Sequence, residues 1–377
     1  MSSNDDIRDQ ILAHQVELLR YGKGLRNRIV ALLSRSEPDL QRKLRARLTR
    51  IAGLNNDPGP STTRRLILLD RAIQAILSPT WTTINELVRR ELVGLAVGEA
   101  AWIAGVIQRT LPVAFEPALP TPRQLRSIVF ARPFQNRILR GWLSSFQAND
   151  RRRMMQEIQS GLLFDETPTQ IGRRIFGTRA LGGADGTREI TRRGAQTLAQ
   201  TATSSITNGT RQALYLANKR IIPRELYVAT LDSRTTPQCQ ALDGTEFPVG
   251  EGAIPPVHMN CRSIRVPVID GRRIGNRPAS INFKDRLGKL RGPARRREVA
   301  KLVGKVPAST NYNTFLRSAD VPFQNNVLGP TRARLFRAGE FDVQGFVDAS
   351  GDRLTLRQLY EIKPTAFQKL GIPAPDL

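Results

Sequence analysis

The chain has 377 residues, 40% of them hydrophobic, enough for two domains or three small ones with their own cores. Its 58 basic and 33 acidic residues leave a formal charge of +25, beyond what solubility needs, which points to a polyanionic partner, nucleic acid before membrane, over a merely solvated basic surface. Aromatic residues at 6% argue against a platform for stacking single-stranded bases and leave salt-sensitive contact with duplex phosphates, while two cysteines exclude a disulfide framework and suit a reducing cytoplasm.

The opening Met-Ser-Ser-Asn-Asp-Asp lacks the basic, apolar pattern of a signal peptide. Apolar residues at helical spacing follow (Ile7, Ile11, Leu18, Leu25, Ile29, Leu32), and Ser36-Glu37-Pro38 is expected to end that helix and start another through Leu40, Leu44 and Leu48. Asn55 to Pro60 reads as a loop. Ser61 to Thr63 can cap a helix to about Leu77, and Thr82 or Thr83 a longer one to about Thr110. Within it, Leu92 to Ile107 is the most apolar run. It is short for a membrane span and interrupted by Glu99, so a buried core helix is expected. His14 is expected on a solvated helix face.

Residues 111–122 hold four prolines and read as a linker. Phe134, Ile138, Trp142 and Phe146 form the next helical stripe, and Met155, Ile158 and Leu162 another. Thr167-Pro168 is an N-cap followed by a first-turn proline. Beyond the glycine-rich 182–186, one long helix is expected from Arg188 to Lys219, with a small-residue face of Leu198, Ala202, Ile206 and Ala213.

The stretch from Leu226 to Pro267 changes character. Leu226 to Thr230 is a strand, Asp232-Ser233-Arg234 a turn, and Asp243-Gly244 a tight turn before a strand from Thr245 to Val249. Pro255-Pro256 leads to His258, and Arg262 to Val266 closes the module. The pattern TLDSRT…C…LDG…F…PPxHxxCR resembles the phage Mu F-like family of minor head (head morphogenesis) proteins. Many relatives carry further cysteines where this chain has Thr236 and Ser263, and an Arg-Thr pair where it has Gln200-Thr201.

Residues 271–305 are strongly basic and read as a linker or arm; Arg272, Arg273, Arg291, Arg295, Arg296, Arg297 and Lys301 are the candidate DNA contacts. In the tail, Val321 to Phe336 is helical with a break at Gly329-Pro330. A turn follows at Ser350 to Asp352, and Thr355 caps a last helix.

The fold class expected is α+β. The divisions are a helical region at 1–110, a second at 111–222, a small mixed Cys/His domain at 223–270, a basic linker at 271–307 and a helical module at 308–377. Cys239, His258 and Cys261 are metal-ligand types, with HxxC as a usable half-site. A fourth ligand would have to be Asp232, Asp243, Glu246, Glu251 or water. The expected state is a decayed zinc site with no cofactor, and bound zinc is the alternative.

The resemblance implies a non-enzymatic component of the virion. It implies a place inside the capsid near the portal, portal protein and packaged double-stranded DNA as partners, major capsid or scaffold protein as further ones, no membrane, and synthesis in the host cytoplasm. The alternatives are a zinc-dependent hydrolase or nuclease centred on Cys239, His258 and Cys261, and a DNA-binding protein outside the virion.

Overall fold

A computed structural model describes residues 3–52, 60–111, 115–269, 276–280, 303–307 and 309–375. The chain is mostly helical with a small three-stranded sheet, an α+β protein as its patterning predicts. It divides into two compact units. One comprises Met1–Val16, Glu99–Pro120 and Asn208–Leu377, the other Glu17–Gly98 and Thr121–Thr207. This differs from the sequential division at 110, 222, 270 and 307, because three long helices each lend residues to both units: α1 (Ser3–Ala52), α2 (Pro60–Thr110) and α6 (Arg188–Ala217).

In the second unit, α1 and α2 run through Pro38 and Pro79, where breaks are expected. A proline removes one helical hydrogen bond and crowds the preceding turn, but the buried seams continue on both sides. On α1 they are Leu25, Ile29 and Leu33 before Pro38, then Leu40, Leu44 and Leu48 after it. On α2 they are Leu69, Ile73 and Leu77, then Trp81, Ile84 and Val88. Ser36 also donates its hydroxyl to the Leu33 carbonyl at 2.8 Å, beside Pro38. Residues 53–59, where the loop was expected, lie outside the described residues.

Phe134 does not belong to the following helix: it pairs with Arg137 in a turn and stacks on Trp142, and α4 (Leu139–Leu163) begins after it. The two stripes expected there are one helix. α3 (Pro122–Phe130) and α5 (Pro168–Phe176) each start on a Thr-Pro pair with a capping box, Thr121 with Gln124 and Thr167 with Gln170. Buried Asp150 of α4 takes a guanidinium from Arg188 at 2.6 Å, a hydroxyl from Thr191 at 2.8 Å and the indole of Trp81 at 3.3 Å.

In the first unit, β1 (Arg224–Val228) lies between β2 (Glu246–Pro248) and β3 (Ile264–Val268), both antiparallel to it. Leu226, Val228, Ile264 and Val266 share a core with Ile7, Ile11, Ile103, Ile107 and Leu214. Beside that core, Glu99 accepts from Arg211 at 2.6 Å and faces His14 Nε2 at 2.9 Å, and the His14 ring stacks on Trp102 with centroids 3.8 Å apart. His14 is therefore packed and hydrogen-bonded, contrary to the solvated face expected for it. By length and composition α2 contains a segment able to cross a membrane, Arg64–Thr110. Its Leu92, Ala96, Ala100, Ile103 and Ile107 are buried within the protein.

β4 (Asn276–Ser280) and β5 (Val303–Pro307) pair antiparallel, from Asn276 with Pro307 to Ser280 with Val303. The basic segment thus carries a two-stranded stem where a plain linker is expected. The tail adds five short helices, Tyr312–Ser318, Val321–Leu328, Pro330–Arg337, Leu356–Ile362 and Pro364–Lys369. Their core of Phe315, Phe323, Phe336, Phe346 and Phe367 also takes in Leu231 and Ala279.

Burial alone would raise the Glu99 carboxyl, but the Arg211 charge and the His14 hydrogen bond hold it below the usual carboxylate range. Its stabilising contribution is then complete above about pH 4.3, the ordinary value for Glu, and is lost as pH falls through the lower folded-state value. Glu99→Gln is expected to cost about 3 kcal/mol at pH 7, by leaving Arg211 buried without its partner. Measured by denaturant unfolding, that cost should hold steady down to about pH 5 and shrink below about pH 4.

Candidate functional site

The alternation of β1 sends Leu226 and Val228 to the helical core and Tyr227 to the opposite side, where it packs with Ala229, Cys239 and Cys261. Past β1 the chain turns at Asp232, whose carboxylate accepts from the backbone N–H of Arg234 at 3.0 Å. Thr236-Pro237 then opens α7 (Pro237–Leu242), a one-and-a-half-turn helix that presents Cys239. The sequence reading missed α7, although its Thr-Pro start is the same signal that marks α5.

Asp243-Gly244 returns the chain to β2 as expected, with Gly244 at φ 85°, a left-handed position suited to glycine. Further on, Gly252 lies against the Phe247 ring, and a Cβ there would stand 2.1 Å from Cδ1, so only glycine fits. His258 and Cys261 meet on one turn: the Cys261 N–H donates to the His258 carbonyl at 3.3 Å, and Asn260 takes the left-handed conformation at φ 58°.

The structure brings together all three sequence-predicted ligands. Cys239 Sγ is 3.1 Å from His258 Nε2 and 3.7 Å from Cys261 Sγ, so the sulfurs are unbonded thiols. The three donor atoms lie within 4.8 Å of one another. His258 Nδ1 faces the Met259 carbonyl at 2.8 Å; a carbonyl can only accept, so Nδ1 carries a proton and Nε2 is the ring nitrogen that faces the sulfurs. Tyr227 Oη sits 3.3 Å from Cys239 Sγ. The Cys239 hydrogen bond pulls the Cys261 thiol down to about 4, helped by His258, while that bond and burial push the Cys239 thiol up. The pair thus favours one negative charge shared between two sulfurs.

Three of the four acidic residues considered as a fourth ligand are engaged elsewhere. Asp232 holds Arg262 through two hydrogen bonds, at 2.6 and 2.8 Å. Asp243 accepts from the Ala229 N–H at 2.7 Å and from Arg277 at 2.9 and 3.0 Å. Glu246 pairs with Arg224 at 3.1 Å, and Glu251 is exposed. Arg277, from the basic segment, is buried in this frame and bonds the Thr310 carbonyl as well. Arg272, Arg273, Arg291, Arg295, Arg296, Arg297 and Lys301 lie outside the described residues. Tyr312 of the tail donates to the Asp232 carbonyl at 2.7 Å, and Gln238 of α7 to the Ser350 carbonyl at 3.2 Å, so the tail is fastened to the turn before α7 and to α7 itself.

A cavity of about 20 Å³ adjoins the cluster, lined by Thr230, Thr236, Cys239, His258, Asn260 and Ser263, with Arg234, Thr235 and Arg262 completing its wall. Thr236 is the N-cap of α7, yet its side chain makes no capping bond, and its buried Oγ1 has no hydrogen-bond partner. Such an atom in a wall of this kind is the second feature the sequence reading missed, since it saw Thr236 only as the absence of a thiolate.

Residues 150–265 match the family model of Phage Mu protein F like proteins. This part of the chain is a Mu F-like domain. The match covers a little under a third of the 377 residues and contains the whole Cys/His cluster. No curated protein and no solved structure matches the chain.

The Asp232–Arg262 pair locks the turn before α7 to the turn that carries Cys261. Asp232→Ala and Arg262→Ala are each expected to cost about 2–3 kcal/mol, because either leaves a partly buried charge without its partner. The double variant should cost clearly less than the sum of the two. Urea unfolding of the four proteins checks this, and strict additivity would mean that the pair does not act as one unit.

Proposed function

We propose that this chain is a head morphogenesis, or minor capsid, protein of a bacteriophage: a structural component of the virion that binds the portal protein inside the head and contacts packaged double-stranded DNA. The observation that carries this reading is the Mu F-like domain at residues 150–265. The formal charge of +25 supports it independently, since a protein beside condensed DNA gains from phosphate neutralisation. The portal is the primary partner, with major capsid or scaffold protein as secondary ones. The protein is made in the host cytoplasm and taken into the capsid interior near the portal. Its role is one of assembly or of DNA ejection and requires no reaction.

Arg272, Arg273, Arg291, Arg295, Arg296, Arg297 and Lys301 are the proposed phosphate contacts. For Arg291, Arg295, Arg296, Arg297 and Lys301 the β4–β5 stem supports that assignment. Ser280 and Val303 are paired, so the intervening basic stretch leaves and rejoins the protein at one place.

The test is binding of the full chain to duplex DNA across a salt series. Each phosphate contact contributes about 0.9 to the slope of log affinity against log salt concentration. Replacing Arg295, Arg296 and Arg297 together with glutamate should weaken binding and flatten that slope by roughly 2–3. Unchanged affinity and slope would remove this segment from the DNA contact. Chemical cross-linking of purified particles addresses the other partner: links from this chain to the portal protein are expected, and links only to unrelated proteins would contradict the reading.

A further inference from the structure

We propose that Cys239, His258 and Cys261 bind one zinc-type divalent cation through three protein ligands, and that its fourth ligand is a water molecule seated against the Thr236 hydroxyl. This inference concerns the purified chain and stands or falls independently of the role in head assembly.

Four observations carry it. The first is donor geometry. Tetrahedral zinc with sulfur at about 2.3 Å and nitrogen at about 2.0 Å places two sulfurs about 3.7 Å apart and sulfur and nitrogen about 3.5 Å apart. The cysteine sulfurs stand at 3.7 Å, and Cys239 Sγ and His258 Nε2 at 3.1 Å, so the sulfurs already match and the imidazole needs to withdraw by only a few tenths of an ångström. The second is the tautomer. The Met259 carbonyl holds the proton on Nδ1, the outer-shell arrangement that turns Nε2 toward a metal.

The third is charge. The cluster is buried, with Cys239 1% and Cys261 0% exposed. A dication on two thiolates and a neutral imidazole is neutral overall, whereas two thiolates alone could not both ionise there. The neighbouring Arg262 is neutralised by Asp232 and does not compete for these sulfurs.

The fourth is the remaining vertex. Asp232, Asp243 and Glu246 are held in ion pairs and Glu251 is exposed, so it falls to the cavity beside Thr236. At about 20 Å³ that cavity has room for a single water, which needs polar partners to stay. Thr236 Oγ1 is buried, unbonded and free of its capping duty, so it supplies one. A threonine-held water thus completes the coordination number without a third thiolate.

The experiment uses the full chain, purified reduced and stripped of metal, titrated with Co2+ and then Zn2+ and read by absorption spectroscopy. One equivalent of cobalt is expected, with tetrahedral ligand-field bands and thiolate-to-cobalt charge transfer, displaced by one equivalent of zinc. Cys239→Ser and Cys261→Ser should each lower affinity at least a hundredfold. Thr236→Ala should keep the stoichiometry but shift the ligand-field bands. Thr236→Cys should fill the open vertex, raising affinity at least tenfold and strengthening the charge-transfer band by about half. Circular dichroism shows whether each variant is folded. A folded wild-type chain giving no charge-transfer band would overturn the metal site. A folded Thr236→Cys chain with an unchanged spectrum would overturn the water position.

Discussion

Arginine inside a folded protein must meet a carboxylate, and this chain takes arginine inside repeatedly. Arg188 with Asp150, Arg211 with Glu99, Arg265 with Glu225 and Arg277 with Asp243 are all side chains 5% exposed or less. An ion pair of this kind adds little stability relative to well-packed apolar residues. Breaking one is costly, so each pair specifies which elements must lie together. Asp150 ties α4 to the start of α6, and Glu99 ties α2 to the end of the same helix. Among the described residues these four buried arginines are each balanced by a buried carboxylate.

The Cys/His cluster inherits its geometry from those pairs. Asp232 with Arg262 holds the turn before α7 to the turn after His258, and Asp243 with Arg277 holds the end of α7 to the β4–β5 stem. Tyr312 and Gln238 then bind the tail to the turn before α7 and to α7 itself. The three ligands therefore sit on one short helix and one turn but are fixed by long-range contacts, so a three-ligand site can stay ordered without a fourth protein donor. The stem that frames the basic stretch is anchored in the same network, which joins the region of proposed DNA contact mechanically to the Mu F-like domain.

Local signals were the legible ones. Thr167-Pro168 and Thr355 cap helices as expected, the Gly329-Pro330 break separates two tail helices, and β1, β2 and β3 fall where alternation and turn residues place them. The convergence of Cys239, His258 and Cys261 was legible because the motif compresses them into 23 residues. Pro38 and Pro79 misled because a single-residue rule was set against apolar seams that continue past them. The ion pairs were not legible: Glu99 and Arg211 are 112 positions apart, and no periodicity links them. For the same reason His14 looked solvated, since its stacking partner Trp102 comes from another helix.

The most direct measurement is quantitative mass spectrometry of purified virions, with portal and major capsid proteins as internal standards. The account predicts this chain in the particle, at a copy number equal to or below that of the portal. Its absence from particles, together with abundance in infected cells, would contradict the assignment to the phage head.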